Sequence, residues 1–348
     1  MQALQITRWK TAPQLVEVAE PEPGPGQVVV RIGGAGACHS DLHLLHDFDE
    51  GMLPFGPPFT LGHENAGWVH ALGPGVDGLE VGQPVAVYGS WGCGWCKRCR
   101  LGMENYCERQ AELGVYGGGL GLDGGMASFM LVPSPRLLVP LDTLDPADAA
   151  PLTDAGLTPY HAVKRSLHLL EPGSTAVVIG IGGLGHLAVQ ILRALSACRI
   201  IAVDQRDEAL QLASDSGADH TLKPGADAAA EIREFTKDLG ADVVIDVVGA
   251  GDTLALATAV SRPLGHVTLV GLAGGSVPFS FFSQPYEVSL ATTYWGSITE
   301  LMEVIALAEA GHLRPHVVRF TLEEAATVYE KLAAGEIAGR AVVTPGAA

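Results

Sequence analysis

The apolar run Ala176-Val177-Val178-Ile179 passes directly into Gly180-Ile181-Gly182-Gly183-Leu184-Gly185. A helical segment from His186 to Leu195 follows, then a second apolar run, Arg199-Ile200-Ile201-Ala202-Val203. Two strands joined through a helix must lie parallel, and a parallel sheet needs helices on both faces, so this order restricts the fold more than any other feature of the chain. The alternation continues with a helix from Asp207 to Ser216 and strands at Ala241–Asp246 and His266–Val270. The expected fold class is therefore α/β with a doubly wound parallel sheet, the series ending after about Pro285.

The glycine turn has its own chemistry. Its first glycine permits a tight turn, its second lets backbone approach a pyrophosphate, and its third allows close packing of helix on strand. The helix N-terminus then offers free N–H groups and a positive dipole end to phosphate. Asp204 ends the next strand about 20 residues after the glycines, where a carboxylate accepts from ribose hydroxyls and repels a 2′-phosphate. NAD is the expected dinucleotide. Arg206 offers the competing reading, since it could turn toward a 2′-phosphate.

Upstream, from Gln27 to Ala150, short β-type runs such as Val28–Ile32, Gly67–Ala71, Pro84–Tyr88 and Phe129–Val132 are separated by Gly and Pro, which suggests an irregular all-β domain. Within it Cys93, Cys96, Cys99 and Cys107 form C-x2-C-x2-C-x7-C. That spacing lets four thiolates converge on one zinc ion, and a closed four-sulfur shell has no position for water, so the site is structural. Cys38-His39-Ser40-Asp41-Leu42-His43 and Gly62-His63-Glu64 supply a mixed Cys/His pair, the ligand chemistry of an open zinc site.

The 348 residues suit two domains. Charged residues are 17% and hydrophobic ones 47%, which excludes a disordered chain. A net charge of −18 argues against nucleic acid or an anionic membrane as partner. The tract from Thr175 to Val203 is apolar but broken by its glycines, His186, Gln190 and Arg193, so it reads as strand, turn, helix and strand, not as a membrane span. Met1–Lys10 lacks the apolar core of a signal peptide and reads as a short strand, so a cytoplasmic location is expected.

Taken in order, C-x-S-x-x-H from Cys38 to His43, Gly62-His63-Glu64, the cysteine quartet and the late glycine turn resemble the zinc-dependent medium-chain alcohol dehydrogenases along the whole chain. Tyr88–Cys93, Pro151–His161 and Tyr294-Trp295-Gly296 look like the branch of actinobacterial secondary alcohol dehydrogenases and phenylacetaldehyde reductases. The resemblance implies a GroES-like catalytic domain over 1–150, a Rossmann NAD-binding domain over 151–285, and a return segment, 286–348, completing the catalytic domain. It implies two zinc ions per subunit, with Cys38, His63 and Asp154 holding the catalytic one; Asp154 stands where many relatives have cysteine. Glu64 either approaches that metal or orients His63. Ser40 and His43 carry the alcohol proton to solvent while NAD takes hydride, and His39 lies near the pyrophosphate. Gly180, Gly182, Gly183, Leu184, Gly185, Asp204, Arg206, Val248, Val270 and Gly271 line the cofactor, and Tyr294 and Trp295 wall the substrate pocket.

These features together lead to an enzyme interconverting apolar or aryl secondary alcohols and ketones or aldehydes, assembled as a homo-oligomer, a tetramer before a dimer. The candidate sheet edge for assembly lies near Val277–Phe282. A polyol or sugar dehydrogenase of the same family is the nearest alternative, and the apolar Phe48, Met52 and Leu53 count against it. A zinc-free quinone reductase conflicts with Cys38, His63 and the quartet. A non-catalytic NAD-binding protein conflicts with the Ser40 and His43 pair.

Overall fold

Val28–Ala37 is almost wholly apolar or glycine, and such a strand is stable only with neighbours on every side. It pairs antiparallel with Glu64–Leu72, Phe129–Val132 and Arg340–Val343. A computed structural model describes residues 1–346, and in it this strand is the centre of a seven-stranded sheet. The main path runs Leu138–Pro140, Pro84–Val87, Glu64–Leu72, Val28–Ala37, Arg340–Val343, Val317–Phe320. A smaller sheet orders Gln14–Glu17, Gln2–Ile6 and Phe59–Thr60. These elements form one unit, Met1–Leu157 with the segment from Gly296 onward, and it is irregular and mainly β.

Two register details place the later chemistry. Val28–Ala37 ends immediately before Cys38, which N-caps the helix His39–His46. Gly36 pairs with Glu64, which brings His63 alongside the end of the same strand. A side chain on Gly36 is impossible: a Cβ there would lie 1.9 Å from Glu64 Oε2.

The second unit, Thr158–Trp295, is the doubly wound α/β unit. Its six strands are all parallel, in the order His220–Leu222, Arg199–Val203, Thr175–Ile179, Ala241–Asp246, Ser261–Leu269, Ser289–Thr292. The chain starts in the middle, builds outward to one edge, then returns and builds to the other. The switch point therefore falls between Thr175–Ile179 and Ala241–Asp246, where such sheets bind ligands at their carboxyl ends. Val177, Ile179, Ile201, Val203, Val244 and Val267 pack with Ile232, Ala257 and Val260 in one buried core. Each valine or isoleucine among them contributes about 1.5–3 kcal/mol on burial.

Two expectations are revised. The parallel series continues past Pro285, because Ser289–Thr292 pairs with Ser261–Leu269. It is a short edge strand with one neighbour and needs no long apolar run, so its pattern is weak. The units also divide later than 150 and 285, at Leu157/Thr158 and Trp295/Gly296. Pro146–Ala149 packs tightly on the central strand of the first unit: a Cβ on Gly34 would meet Ala147 Cα at 2.6 Å. Among the described residues no helix is long and apolar enough to cross a membrane.

Gly185 opens the helix Gly185–Leu195, and a Cβ there would lie 1.8 Å from Gly180 O. Alanine is the better helix former by about 1 kcal/mol. Gly185→Ala is nonetheless expected to destabilise by about 1–3 kcal/mol through overpacking, read as a lower Tm. An unchanged or raised Tm would refute the close helix-strand approach.

Candidate active site and cofactor cradle

Cys38, His63 and Asp154 come from a helix N-cap, a strand entry and the end of a 3-10 turn, Ala150–Thr153. Their ligand atoms all lie within 4.8 Å of one another. His63 Nε2 is 3.5 Å from Asp154 Oδ2, and Cys38 Sγ is 4.0 Å from the same oxygen. Zinc bonds of about 2.0–2.3 Å in a tetrahedron separate ligands by roughly 3.3–3.8 Å, so sulfur, nitrogen and oxygen fit one ion with a fourth position open. Ser40 Oγ, 3.4 Å from His63 Nε2, is half-buried beside the group. His43 is also half-buried, and its Nδ1 pairs with Asp47 at 2.5 Å. His39 is exposed.

Asp41 supports this trio, a role that the sequence did not reveal. Its Oδ1 lies 3.0 Å from His63 Nδ1, which leaves Nε2 aimed at Cys38 and Asp154. Its Oδ2 accepts from the Cys38 N–H at 3.0 Å and from the Tyr329 hydroxyl at 3.0 Å. Burial alone would lower the pKa of His63, but Asp41, Asp154 and Cys38 outweigh it and hold it well above the usual imidazole range. A cysteine and two carboxylates around one imidazole suit a cation, and metal entry at such a site is coupled to proton release.

Glu64 is engaged here by Arg340 and by backbone. Arg340 donates to both of its oxygens, Nε to Oε2 at 2.8 Å and Nη2 to Oε1 at 2.5 Å, and the Ala155 N–H reaches Oε1 at 3.0 Å. Burial pushes its pKa up while Arg340 holds it back. Tyr329 and Arg340 lie 288 and 276 residues from their partners, with no signal in the sequence to link them.

Cys93, Cys96, Cys99 and Cys107 form the second cluster, and none is in a disulfide. The Sγ atoms of Cys93 and Cys99 are 3.9 Å apart, those of Cys96 and Cys99 3.4 Å, against the roughly 3.8 Å edge of a four-sulfur zinc tetrahedron. Backbone N–H groups point at the sulfurs: Cys96 N–H reaches Cys93 Sγ at 3.3 Å, and Arg109 N–H reaches Cys107 Sγ at 3.4 Å. The Cys99 N–H, ahead of other donors, brings the Cys96 thiol down to about 6, whereas burial pushes Cys99 up. Such donors stabilise thiolate charge, as a structural zinc site requires.

In the parallel-sheet unit, Gly182 has no atom within 4 Å of where a Cβ would stand, so the turn keeps an open space beside its backbone. A pyrophosphate fits there, with the N-terminus of Gly185–Leu195 behind it. Gly183 and Leu184 complete the turn, Leu184 as N-cap of that helix. Asp204 Oδ2 accepts from the Ile181 N–H at 2.7 Å, and Oδ1 accepts from Arg206 N at 3.0 Å and Nε at 3.3 Å. Val248 packs over Gly180, and Val270 and Gly271 end the adjacent strand's run with N–H groups on Asp246 O at 2.8 and 3.1 Å. Tyr294 is 45% exposed, whereas Trp295 is buried with a left-handed φ of 52°.

Two substitutions test these assignments. Cys99→Ser is expected to lower zinc content by one ion per subunit by elemental analysis and to drop Tm by on the order of 10 °C. Unchanged metal content would refute the four-sulfur site. Arg340→Met leaves Glu64 a buried, unpaired carboxylate and is expected to cost about 3–5 kcal/mol in denaturant unfolding, with part recovered by adding Glu64→Gln.

The comparisons with known proteins agree with this geometry. Residues 24–143 match the alcohol dehydrogenase GroES-like domain, and residues 183–310 match the zinc-binding dehydrogenase domain. An NAD-dependent alcohol dehydrogenase of Sulfurisphaera tokodaii is 36% identical over 99% of this chain and 100% of its own length. A D-arabinose 1-dehydrogenase (NADP(+)) of Saccharolobus solfataricus is 34% identical over 94% of this chain and 93% of its own. The structure of an acetophenone reductase from Geotrichum candidum in complex with NAD superposes with a TM-score of 0.86 at 32% identity, covering 99% of this chain and 97% of that one. Both domain matches and likeness along nearly the full length lead to one conclusion: the chain belongs to the zinc-dependent medium-chain alcohol dehydrogenases, enzymes that work with zinc and NAD.

Proposed function

We propose that this alcohol dehydrogenase interconverts apolar, mainly secondary or aryl, alcohols and the matching ketones or aldehydes with NAD(H). The observation that carries this reading is an aromatic group on and around the loop between the Ser40 helix and His63. Trp9 lies 6.1 Å from Phe48, 6.4 Å from Phe55 and 6.4 Å from Phe59, and Phe55 lies 5.6 Å from Tyr116, ring centre to ring centre. These rings are proposed to wall the substrate space, and apolar walls with a few polar groups suit an aryl substrate better than a polyhydroxylated one. The polyol alternative has its own support in the likeness to a D-arabinose 1-dehydrogenase.

When bound, zinc supplies Lewis acidity at the substrate oxygen and NAD supplies the hydride acceptor. The chain's residues supply position and proton movement. Cys38, His63 and Asp154 are proposed as the metal ligands, with Asp41 fixing the tautomer of His63. Ser40 Oγ, on the accessible side of the trio, is placed to accept the alcohol proton. His43 stands one helical turn on, on the same face, and leads outward to Asp47 and solvent. Asp204 is proposed to select NAD by accepting from ribose hydroxyls, with Arg206 held on its carboxylate.

Assembly is proposed as a homo-oligomer, a tetramer before a dimer, in the cytoplasm. Exposed Phe279, Phe281, Phe282 and Tyr286 precede the edge strand Ser289–Thr292, and a second copy would cover both apolar surface and unpaired backbone.

The deciding experiment is initial rates of nicotinamide reduction by zinc-replete protein with 1-phenylethanol and with D-arabinose, each with NAD and NADP. The expected result is kcat/KM at least about a hundredfold higher for 1-phenylethanol with NAD, and loss of turnover in Cys38→Ser. Preference for D-arabinose would establish the polyol reading, and preference for NADP would make Arg206 dominant over Asp204.

A further inference from the structure

Asp246 ends the strand that borders the switch point of the parallel sheet, and its side chain is completely buried. A buried carboxylate is costly unless its lone pairs are satisfied. Three neutral donors satisfy this one: Val248 N–H and Gly249 N–H both reach Oδ1 at 2.9 Å, and the Thr253 hydroxyl reaches Oδ2 at 2.8 Å. Thr253 in turn accepts from the Ala250 N–H at 2.9 Å. Carboxylate and hydroxyl together therefore set the conformation of residues 247–250, where Gly249 has φ +73°.

That turn touches the segments of the cradle on either side of it. Val247 N–H bonds to Ile179 O at 3.0 Å, just before the glycine turn. A Cβ on Gly180 would meet Val248 Cγ2 at 2.5 Å. On the other side, a Cβ on Gly271 would meet the Val248 carbonyl carbon at 2.1 Å, and Ala273 N–H and Gly275 N–H bond to the carbonyls of Val248 and Gly249 at 3.2 and 2.8 Å. Packing this close transmits displacement, so a turn that relaxes shifts Gly180 and the loop after Val270 with it.

We propose that Asp246 is a positioning residue of the cofactor site, holding the Val247–Ala250 turn as the wall between the glycine turn and the loop after Val270. It acts through these backbone segments and does not itself meet the dinucleotide. This rests on the assignment of the site to NAD.

The test is NADH affinity by fluorescence titration, with the Tm of the cofactor-free protein measured in parallel. Wild-type binding is read first and checks the NAD assignment separately. Asp246→Ala leaves two turn N–H groups without an acceptor and is expected to weaken NADH binding by about tenfold or more. Asp246→Asn keeps one carbonyl oxygen in the place of Oδ1 and is expected to stay within about threefold of wild type. A structural role alone would lower Tm and leave the affinity of the folded protein unchanged, and that result overturns the proposal. Equal loss in the Asn and Ala variants overturns it as well, because it would assign the effect to charge and not to the turn. Should Asp246→Ala fail to fold, Thr253→Val removes only the Oδ2 donor: weaker NADH binding supports the proposal, unchanged binding overturns it.

Discussion

A buried ion pair across the middle of a sheet organises the first unit. Glu64 starts one neighbour of the central strand and Arg340 starts the other, and Gly36, paired with Glu64 on one side and Val342 on the other, has no side chain. The space a Cβ would fill at Gly36 holds the Glu64 carboxylate, which crosses to meet the guanidinium from two sides. Two charges this deep are tolerable only with matched geometry and every hydrogen bond made. The pair therefore fixes the two strands in one register, and that register sets His63 beside Cys38. The same carboxylate accepts the Ala155 N–H, the residue after Asp154. One interaction thus holds the backbone next to His63 and next to Asp154.

Around that trio, charge is arranged in layers. Cys38 and Asp154 face His63 on one imidazole nitrogen and Asp41 faces it on the other. This arrangement favours whichever cation occupies the centre, and it explains why the buried imidazole is driven toward its protonated form. An ion bound there would replace the proton and would meet side chains already oriented by Asp41, Tyr329 and the strand ends. The cysteine quartet differs in kind: its sulfurs are met by backbone N–H groups and leave no open position, so it shapes a loop and performs no reaction.

The parallel-sheet unit reaches its function by topology. Reversal of strand order opens a crevice between Thr175–Ile179 and Ala241–Asp246; Gly249 and Gly271 let two backbones approach more closely than any side chain would allow, and Gly180 makes room for the Val248 side chain. Asp204 and Asp246 each satisfy turn N–H groups at the carboxyl ends of their strands.

Local features were legible in the sequence because their information is local. Apolar runs alternating with helices dictated a parallel sheet, the cysteine spacing dictated a four-sulfur cluster, and the glycine turn with Asp204 dictated a dinucleotide cradle. The edge strand Ser289–Thr292 was missed because a strand with a single neighbour carries no strong pattern. Asp41 stood in full view within the Cys38–His43 motif, but nothing in its spacing showed that it would face His63. Tertiary structure alone decided that Glu64 would meet Arg340, that Tyr329 would join Asp41, and that Asp246 would meet the turn after its own strand. Each of those outcomes depends on which buried polar groups the fold brings within about 3 Å, since a buried donor or acceptor must be paired, and its partner is chosen by strand register and not by distance along the chain.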